Sequence, residues 1–310
     1  MTASANAAVP QRSRVGLWVQ AVRAFSFTAS VIPVLLGGLF ALGAQGSKAW
    51  YLLPLAMLGG LLLHAGTNLI NDYYDYKNGV DRECSYGSSG VLVAKLLPPQ
   101  AIFRGALVAF GLASALGVIL IAFRGWSMAA LGVIGLAGGY LYTGGPVGYK
   151  YFALGDLLVF VLMGPLMVIG GYLAVTGVYR HEVLLLSLPV GCLVAAILAA
   201  NNLRDVKHDG DAKVTTLARV LGAKGGRAEY VLLLVGAFAI MIGLVIARVL
   251  SPWTLLVLIS APLAVKNLHT VLASRPGEAE DLATADVTTA QLHLAFGLLL
   301  TLGVIFGAAL

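Results

Sequence analysis

The sequence predicts an all-α fold: a polytopic membrane helical bundle of about nine transmembrane helices, with residues 1–310 forming a single domain. Three observations predict it. First, 59% of the 310 residues are hydrophobic and only 11% are charged, where soluble domains carry roughly 25% charged residues. Second, the chain divides into nine apolar runs, most of them long enough for a helix that needs about 20 residues to cross the hydrocarbon core. Third, the basic residues gather on one side once those runs alternate across a bilayer. Only helices and closed barrels satisfy the backbone in lipid, and runs of this length read as helices.

The elements follow in order. Residues 1–14 are polar and hold Arg12 and Arg14. The run after them is longer than the apolar core of a signal peptide and has no convincing cleavage site, so it reads as a retained first span over 17–44. The further spans are expected at 50–71, 101–122, 126–144, 153–177, 183–203, 229–248, 252–270 and 288–309. Pro33, Pro54, Pro165, Pro189 and Pro262 are expected to kink or start helices. The pairs Gly37-Gly38, Gly59-Gly60 and Gly170-Gly171 read as helix-packing surfaces. Polar loops are left at 72–100, 204–228 and 271–287. Cys84 and Cys192 have neither zinc spacing nor a disulfide framework around them.

Alternation gives four of the 20 basic residues, Lys48, Arg124, Arg180 and Arg248, to one side and the other sixteen to the opposite side. The positive-inside rule makes the basic-rich side cytoplasmic, with the N-terminus there too. A miscounted span would have scrambled this asymmetry.

Two acidic clusters occupy matching helix ends on that side. In Asn68-Leu-Ile-Asn71-Asp72-Tyr73-Tyr74-Asp75, continued helix would put Asn68, Asp72 and Asp75 on one face. In Asn201-Asn202-Leu203-Arg204-Asp205-Val206-Lys207-His208-Asp209, the same holds for Asn201, Asp205 and Asp209. The shared Asn-x-x-x-Asp pattern points to an internal repeat of two half-bundles. Carboxylates packed together in or near a membrane repel, and a cation relieves them. Hard oxygen ligands beside basic residues suit magnesium bound to a substrate's phosphates. Lys77, Arg82, Arg204, Lys207 and Lys213 are placed to take the remaining phosphate oxygens. The combined chemistry is a diphosphate clamp. The plainer alternative is solvated loop charges at helix ends.

With these motifs in place, the chain resembles the UbiA superfamily of intramembrane prenyltransferases over nearly its whole length. Asn71-Asp72-Tyr73-Tyr74-Asp75 through Asp81 looks like that superfamily's first Asp-rich motif, and Asp205-Val-Lys-His-Asp209 like its second. Arg23-Ala-Phe-Ser-Phe-Thr-Ala-Ser, Ser89-Gly90-Val91-Leu92, Tyr140-Leu-Tyr142-Thr-Gly-Gly-Pro146, Asn201-Asn202-Leu-Arg204-Asp205, Thr216-Leu217-Ala218 and Leu221-Gly222 are similar to its 1,4-dihydroxy-2-naphthoate branch. Lys213 is displaced by one residue from that branch's Lys-x-Thr-Leu spacing.

The resemblance implies a magnesium-dependent enzyme of the UbiA type. It would transfer a polyprenyl group from polyprenyl diphosphate to an aromatic acceptor, 1,4-dihydroxy-2-naphthoate, with loss of carbon dioxide to give demethylmenaquinone. Asp72, Asp75, Asp205 and Asp209 would be catalytic and, with Asn68, would hold Mg2+. Asn68, Arg23, Lys77, Arg82, Tyr142, Asn201, Arg204 and Lys213 would contact substrate. Asp81 follows a turn at Gly79 and is a less direct candidate. Other acceptors, such as 4-hydroxybenzoate or homogentisate, stay open, and so does a secondary transporter, although these acids lie at one membrane face rather than at the midplane. Membrane lipid is the expected surrounding, the bacterial cytoplasmic membrane the expected location, and no nucleic-acid partner is expected. Tyr142 also reads as an interfacial belt residue and Arg23 as a positive-inside anchor. His64, inside the second span, reads as a histidine satisfied within the bundle.

Overall fold

The computed structural model of the chain describes residues 13–46, 48–82 and 87–309. Arg12 and Cys84 lie outside the described residues. The helices are α1 (Arg14–Ala21), α2 (Thr28–Phe40), α3 (Leu53–Lys77), α4 (Pro99–Arg124), α5 (Trp126–Leu141), α6 (Gly155–Val161), α7 (Met167–Thr176), α8 (His181–Arg204), α9 (Val206–Asp211), α10 (Leu217–Ile246), α11 (Ala261–Ala273) and α12 (Ala285–Ala309). A π-turn, Leu162–Leu166, joins α6 to α7, and a 3-10 stretch, Pro252–Ser260, leads into α11. Eight helical segments are long and apolar enough to cross a membrane among the described residues. The 16-residue α5 is a shorter apolar helix and supplies the ninth crossing.

The prolines fall where their chemistry allows. Pro54 and Pro262 lie in the first turns of α3 and α11, where a missing N–H costs nothing because that donor has no helical partner. Pro33 and Pro189 lie inside α2 and α8, and each removes an intrahelical hydrogen bond. Pro165 sits in the π-turn, whose wider ring absorbs the interruption.

Helix α8 is the centre of the bundle, with 72% of its apolar stretch buried inside the protein against 28–50% for the other spans. It packs against α10 and α12 around Leu193, Ala196, Tyr230, Phe296 and Leu300. The remaining spans leave large apolar side chains on the outside, among them Val118, Val133, Leu232 and Ile259, as lipid-facing surfaces do.

Glycine makes the α2–α7 contact possible. A Cβ at Gly37 would run into the carbonyl of Val168, and one at Gly171 into the carbonyl of Val34. Backbones therefore touch here, as small residues permit in membranes. The paired-glycine expectation holds for Gly37, Gly38 and Gly171 but not for Gly59 and Gly170. Those two have open space where a Cβ would point, and they line an internal cavity.

The second span runs past its expected end to Lys77, so the polar cluster 68–75 is helical throughout. Its stop is a Schellman motif. Gly79 takes a φ of 70°, Val80 N–H donates to the Asp75 carbonyl at 2.8 Å, and Gly79 N–H donates to that of Tyr76 at 3.2 Å. The chain is thereby turned back over the helix end.

Gly37→Leu should lower the thermal midpoint of the detergent-solubilised protein. Overpacking costs about 1–3 kcal/mol, whereas Gly236→Leu, with open space at its Cβ, should leave the midpoint unchanged.

Candidate active site

Side-chain partners, not helical phase, split the first acidic cluster. Successive residues turn by about 100°, so 68, 71, 72 and 75 all fall within an arc of about 100°, with 71 and 72 at its two edges. Asn68, Asn71 and Asp75 line the cavity. Asp72, 1% exposed, points instead at Arg23 and Ser89, so of the expected set Asn68, Asp72 and Asp75 only Asn68 and Asp75 line the cavity. Arg23 follows α1 in the left-handed region, at φ 53° and ψ 53°. A non-glycine residue there costs on the order of 1–2 kcal/mol, so the surroundings must hold it. Asn68 helps by donating its Nδ2 to the Val22 carbonyl at 2.9 Å. The Asp72 partner Ser89 belongs to a loop tied down by Gln20, which donates to the Ser89 carbonyl at 2.6 Å, and by buried Val91 and Leu92.

The second cluster does not form one continuous helix. Helix α8 stops at Arg204, Asp205 is its cap, and Asp209 rides the short α9. Asn201, Asp205 and Asp209 nevertheless face the same cavity. Arg204 grips Asp205 in a two-pronged bond at 2.8 and 2.9 Å and reaches Asp286 at the start of α12 at 2.8 Å. It is 3% exposed and holds the acidic loop to α12 instead of lining the cavity. The two clusters meet across the chain: the His208 ring lies 2.8 Å from the Val80 carbonyl.

Four further predicted residues lie off the cavity lining. Lys207 is exposed and pairs with Glu278 at 3.3 Å. Lys77 is exposed and stands 5.8 Å from the Tyr74 ring centroid and 5.9 Å from that of Tyr73. Arg82 is exposed at the edge of the loop. Lys213 is exposed and occupies the left-handed C′ position after α9, at φ 58°, with Val214 N–H on the Asp209 carbonyl at 2.9 Å. It repeats with a lysine the turn that Gly79 makes after α3, and that turn directs its side chain to solvent.

Sequence reasoning missed Lys150 and Tyr151. Both hold Asp75: Lys150 Nζ at 2.6 Å and Tyr151 OH at 2.7 Å, with Asn71 donating as well. They sit on the one-turn helix Tyr149–Tyr151, directly after a turn built on Gly145 and Gly148, both at positive φ. The available signal was a lysine between tyrosines after Gly-Gly-Pro, on the side where both Asp clusters lie. Tyr142 also lines the cavity, its ring centroid 6.0 Å from Lys150 Nζ. Asp156, which accepts from Asn202 at 3.0 Å, was missed too.

The cavity encloses about 510 Å³, within the range that holds a small-molecule ligand. One end is acidic, with Asp75, Asp81, Asp205 and Asp209; the rest runs between apolar residues such as Leu131, Met163 and Met167. Burial pushes Asp81 up to about 6, with Asp75 adding repulsion, and one of its oxygens is buried without a hydrogen-bond partner. Burial likewise lifts Asp209 to about 6, against the opposing pull of Lys150. Burial works against the charge of Lys150, but Asp75 beside it keeps its pKa above the ordinary lysine value. Among the described residues, no group of three or more His, Cys, Asp or Glu is drawn together tightly enough to hold a metal by itself. His64 hydrogen-bonds Ser26 and Ser30, as a bundle-satisfied histidine should.

Arg204→Ala should cost about 3–5 kcal/mol, because it strands two carboxylates in a buried site; a large fall in thermal midpoint would register it. The raised carboxyls set a sign for pH. Their folded pKa lies above the unfolded value of about 4, so their stabilising contribution is complete below that pH and is lost as pH rises through about 6. Asp81→Asn should therefore gain thermal midpoint relative to the parent as pH goes from 5 to 7.5. The gain should be about 2–4 °C for each kcal/mol recovered.

The sequence matches the UbiA prenyltransferase family over residues 30–289. It is 37% identical over 303 residues to the 1,4-dihydroxy-2-naphthoate octaprenyltransferase of Bacillus subtilis (strain 168), covering 96% of this chain and 94% of that one. The fold is similar to the apo structure of a UbiA homolog from Aeropyrum pernix K1, with TM-score 0.67 and 17% identity over 92% of this chain and 98% of that one. It is also similar to a UbiA homolog from Archaeoglobus fulgidus bound to GPP and Mg2+, with TM-score 0.58 and 14% identity over 94% and 99% of the two chains. A nine-crossing bundle, two Asp-bearing helix ends on one cavity and a family match across most of its length lead to one conclusion: the chain belongs to the UbiA prenyltransferase family.

Proposed function

We propose that this integral membrane protein transfers a polyprenyl group from polyprenyl diphosphate to an aromatic acceptor, 1,4-dihydroxy-2-naphthoate, working as one transmembrane unit. The observation that carries the reading is the cavity: an acidic, cation-ready end opens directly into an apolar chamber between the helices. The acceptor is taken from the name of the Bacillus subtilis relative at 37% identity.

The donor set fits magnesium, which prefers oxygen ligands and binds beside substrate phosphates. Asp75, Asp81, Asp205 and Asp209 would hold it, helped by Asn68, whose amide nitrogen is spent on Val22 and Ser26, leaving its oxygen to the site. When bound, the ion would neutralise charge on the leaving diphosphate. Asp72, with Arg23 and Ser89 on its oxygens, anchors Arg23 instead of ligating.

Arg23 and Lys150 hold anionic oxygens at the cavity mouth. Arg23 Nε is buried without a partner, and an unpaired guanidinium donor fits a phosphate or carboxylate. The isoprenoid tail lies along the apolar walls. As the allylic C–O bond breaks, its electron pair leaves with the diphosphate and the prenyl carbon becomes cation-like. The acceptor ring carbon bearing the carboxylate attacks it, and carbon dioxide departs. Dry walls keep water from capturing the cation first. Tyr142, in the cavity lining beside Lys150, is the candidate for contact with the acceptor ring. The excess of basic residues on the side of both acidic clusters supports a site at the cytoplasmic face of a bacterial cytoplasmic membrane.

Purified protein given polyprenyl diphosphate, magnesium and a mixture of aromatic acceptors should yield the decarboxylated prenyl naphthohydroquinone by mass spectrometry, and EDTA should abolish it. Asp75→Ala and Asp205→Ala should each reduce turnover by at least about 100-fold, the scale of losing transition-state charge stabilisation. Near-normal rates in either variant would remove the clamp from the mechanism.

A further inference from the structure

His64 lies one helical turn before Asn68 on α3, and both line the cavity. Its surroundings assign its protons. Ser26 Oγ is 2.8 Å from the Arg23 carbonyl, 3.3 Å from Asn68 Nδ2 and 3.2 Å from His64 Nε2. A hydroxyl has one proton, and a carbonyl has none to give, so the Ser26 proton goes to Arg23. Asn68 and His64 must then both donate to Ser26, which puts the imidazole proton on Nε2. His64 Nδ1, 2.6 Å from Ser30 Oγ, is left as the acceptor of the Ser30 proton. For a neutral imidazole, the other tautomer leaves one of these oxygen contacts without a proton.

Two things follow from this chain. His64 has no lone pair left for a substrate proton, so this arrangement does not make it a base. It also terminates on a strained residue. The Arg23 carbonyl receives Ser26 Oγ and Ser26 N–H, both at 2.8 Å, and the preceding Val22 carbonyl is held by Asn68 at 2.9 Å. Helix α3 thus clamps the turn around Arg23 through two residues spaced four apart. The ring of Phe27 fixes the imidazole from the other side at 5.6 Å.

We propose that His64 is a positioning residue: through Ser26 it locks the left-handed turn at Arg23, and so aims the guanidinium at the anionic group of a substrate. This rests on the functional reading above, in which Arg23 meets an anion. That anion is a phosphate of the donor or the carboxylate of the acceptor, two sources of one chemistry.

Steady-state constants measured separately for donor and acceptor test it. His64→Leu and Ser26→Ala should raise KM for the same substrate that Arg23→Gln affects, by about tenfold, as expected for a misaimed charge-assisted hydrogen bond. kcat should stay within about threefold. An effect on the donor assigns the phosphate, and one on the acceptor assigns the carboxylate. His64→Gln, whose amide nitrogen reaches the Nε2 position, should restore KM, while His64→Asn should not. His64→Leu added to Arg23→Gln should have almost no further effect, since both act through one group.

Additive losses in that double variant, or equal behaviour of His64→Gln and His64→Asn, would overturn the proposal. So would a fall in kcat at unchanged KM with an altered pH profile, the mark of a base. If His64→Leu does not stay monodisperse, the Gln and Asn variants carry the test. Absence of any turnover by the parent protein would instead sink the functional reading. In that case the same variants compared for affinity towards inorganic pyrophosphate decide the positioning claim: unchanged affinity in His64→Leu and Ser26→Ala, where Arg23→Gln loses it, would end it.

Discussion

Charge brought to the edge of a membrane and enclosed there must be answered by a neighbouring charge, a hydrogen bond or an ion. This requirement organises the whole of one end of the bundle. Asp72, Asp75, Asp205 and Asp209 are each less than a tenth exposed, and three of them have named answers. Asp72 has Arg23 and Ser89, Asp75 has Lys150 and Tyr151, and Asp205 has Arg204. These answers come from the turn after α1, the loop after α3, the loop after α5 and the end of α8. Satisfying the acids therefore stitches distant parts of the chain together, and Arg204 extends the seam to Asp286 on α12.

The acids less well answered mark the working centre. Asp81 has a buried oxygen without a partner, and both it and Asp209 are pushed up to about 6 by burial. A site that is incompletely neutralised by its own side chains is ready for a cation carried in with an anionic substrate. The well-answered acids also hold cations in fixed places; Asp72 does only that, while Asp75 and Asp205 face the cavity as well. Arg23 is kept in a backbone region that it would otherwise leave, and Lys150 is fixed over Asp75 and beside Tyr142.

Turn chemistry delivers these groups to one place. The glycine stop after α3 folds Asp81 back towards Asp75, and the same hydrogen-bond pattern after α9 is closed by Lys213. Using a lysine in the left-handed position accepts a small strain, and it sends that side chain outward. A residue that spacing alone offers as a phosphate contact thus carries a backbone role. The Gly145 and Gly148 turn does the reverse, bringing an unremarked lysine into the site.

Much of this protein was legible in its sequence because hydrophobic length and charge asymmetry are properties of the chain itself. They gave the nine crossings and the shared side of Asn68–Asp75 and Asn201–Asp209, while the Asp-rich motifs carried the likeness to UbiA enzymes. Spacing grouped Asn68 and Asp75 on one helix end and Asn201, Asp205 and Asp209 on another, the resemblance added Arg23 and Tyr142, and all of them line the cavity. Tertiary structure decided the rest. It turned Asp72 from the cavity to Arg23, made Arg204 a brace, left Lys77, Arg82 and Lys213 outside, and brought in Lys150 and Tyr151. A residue's helical phase gives only its direction. What stands opposite is supplied by helices and turns many residues away, and their packing is set by contacts, such as Gly37 against Val168, that no local pattern records.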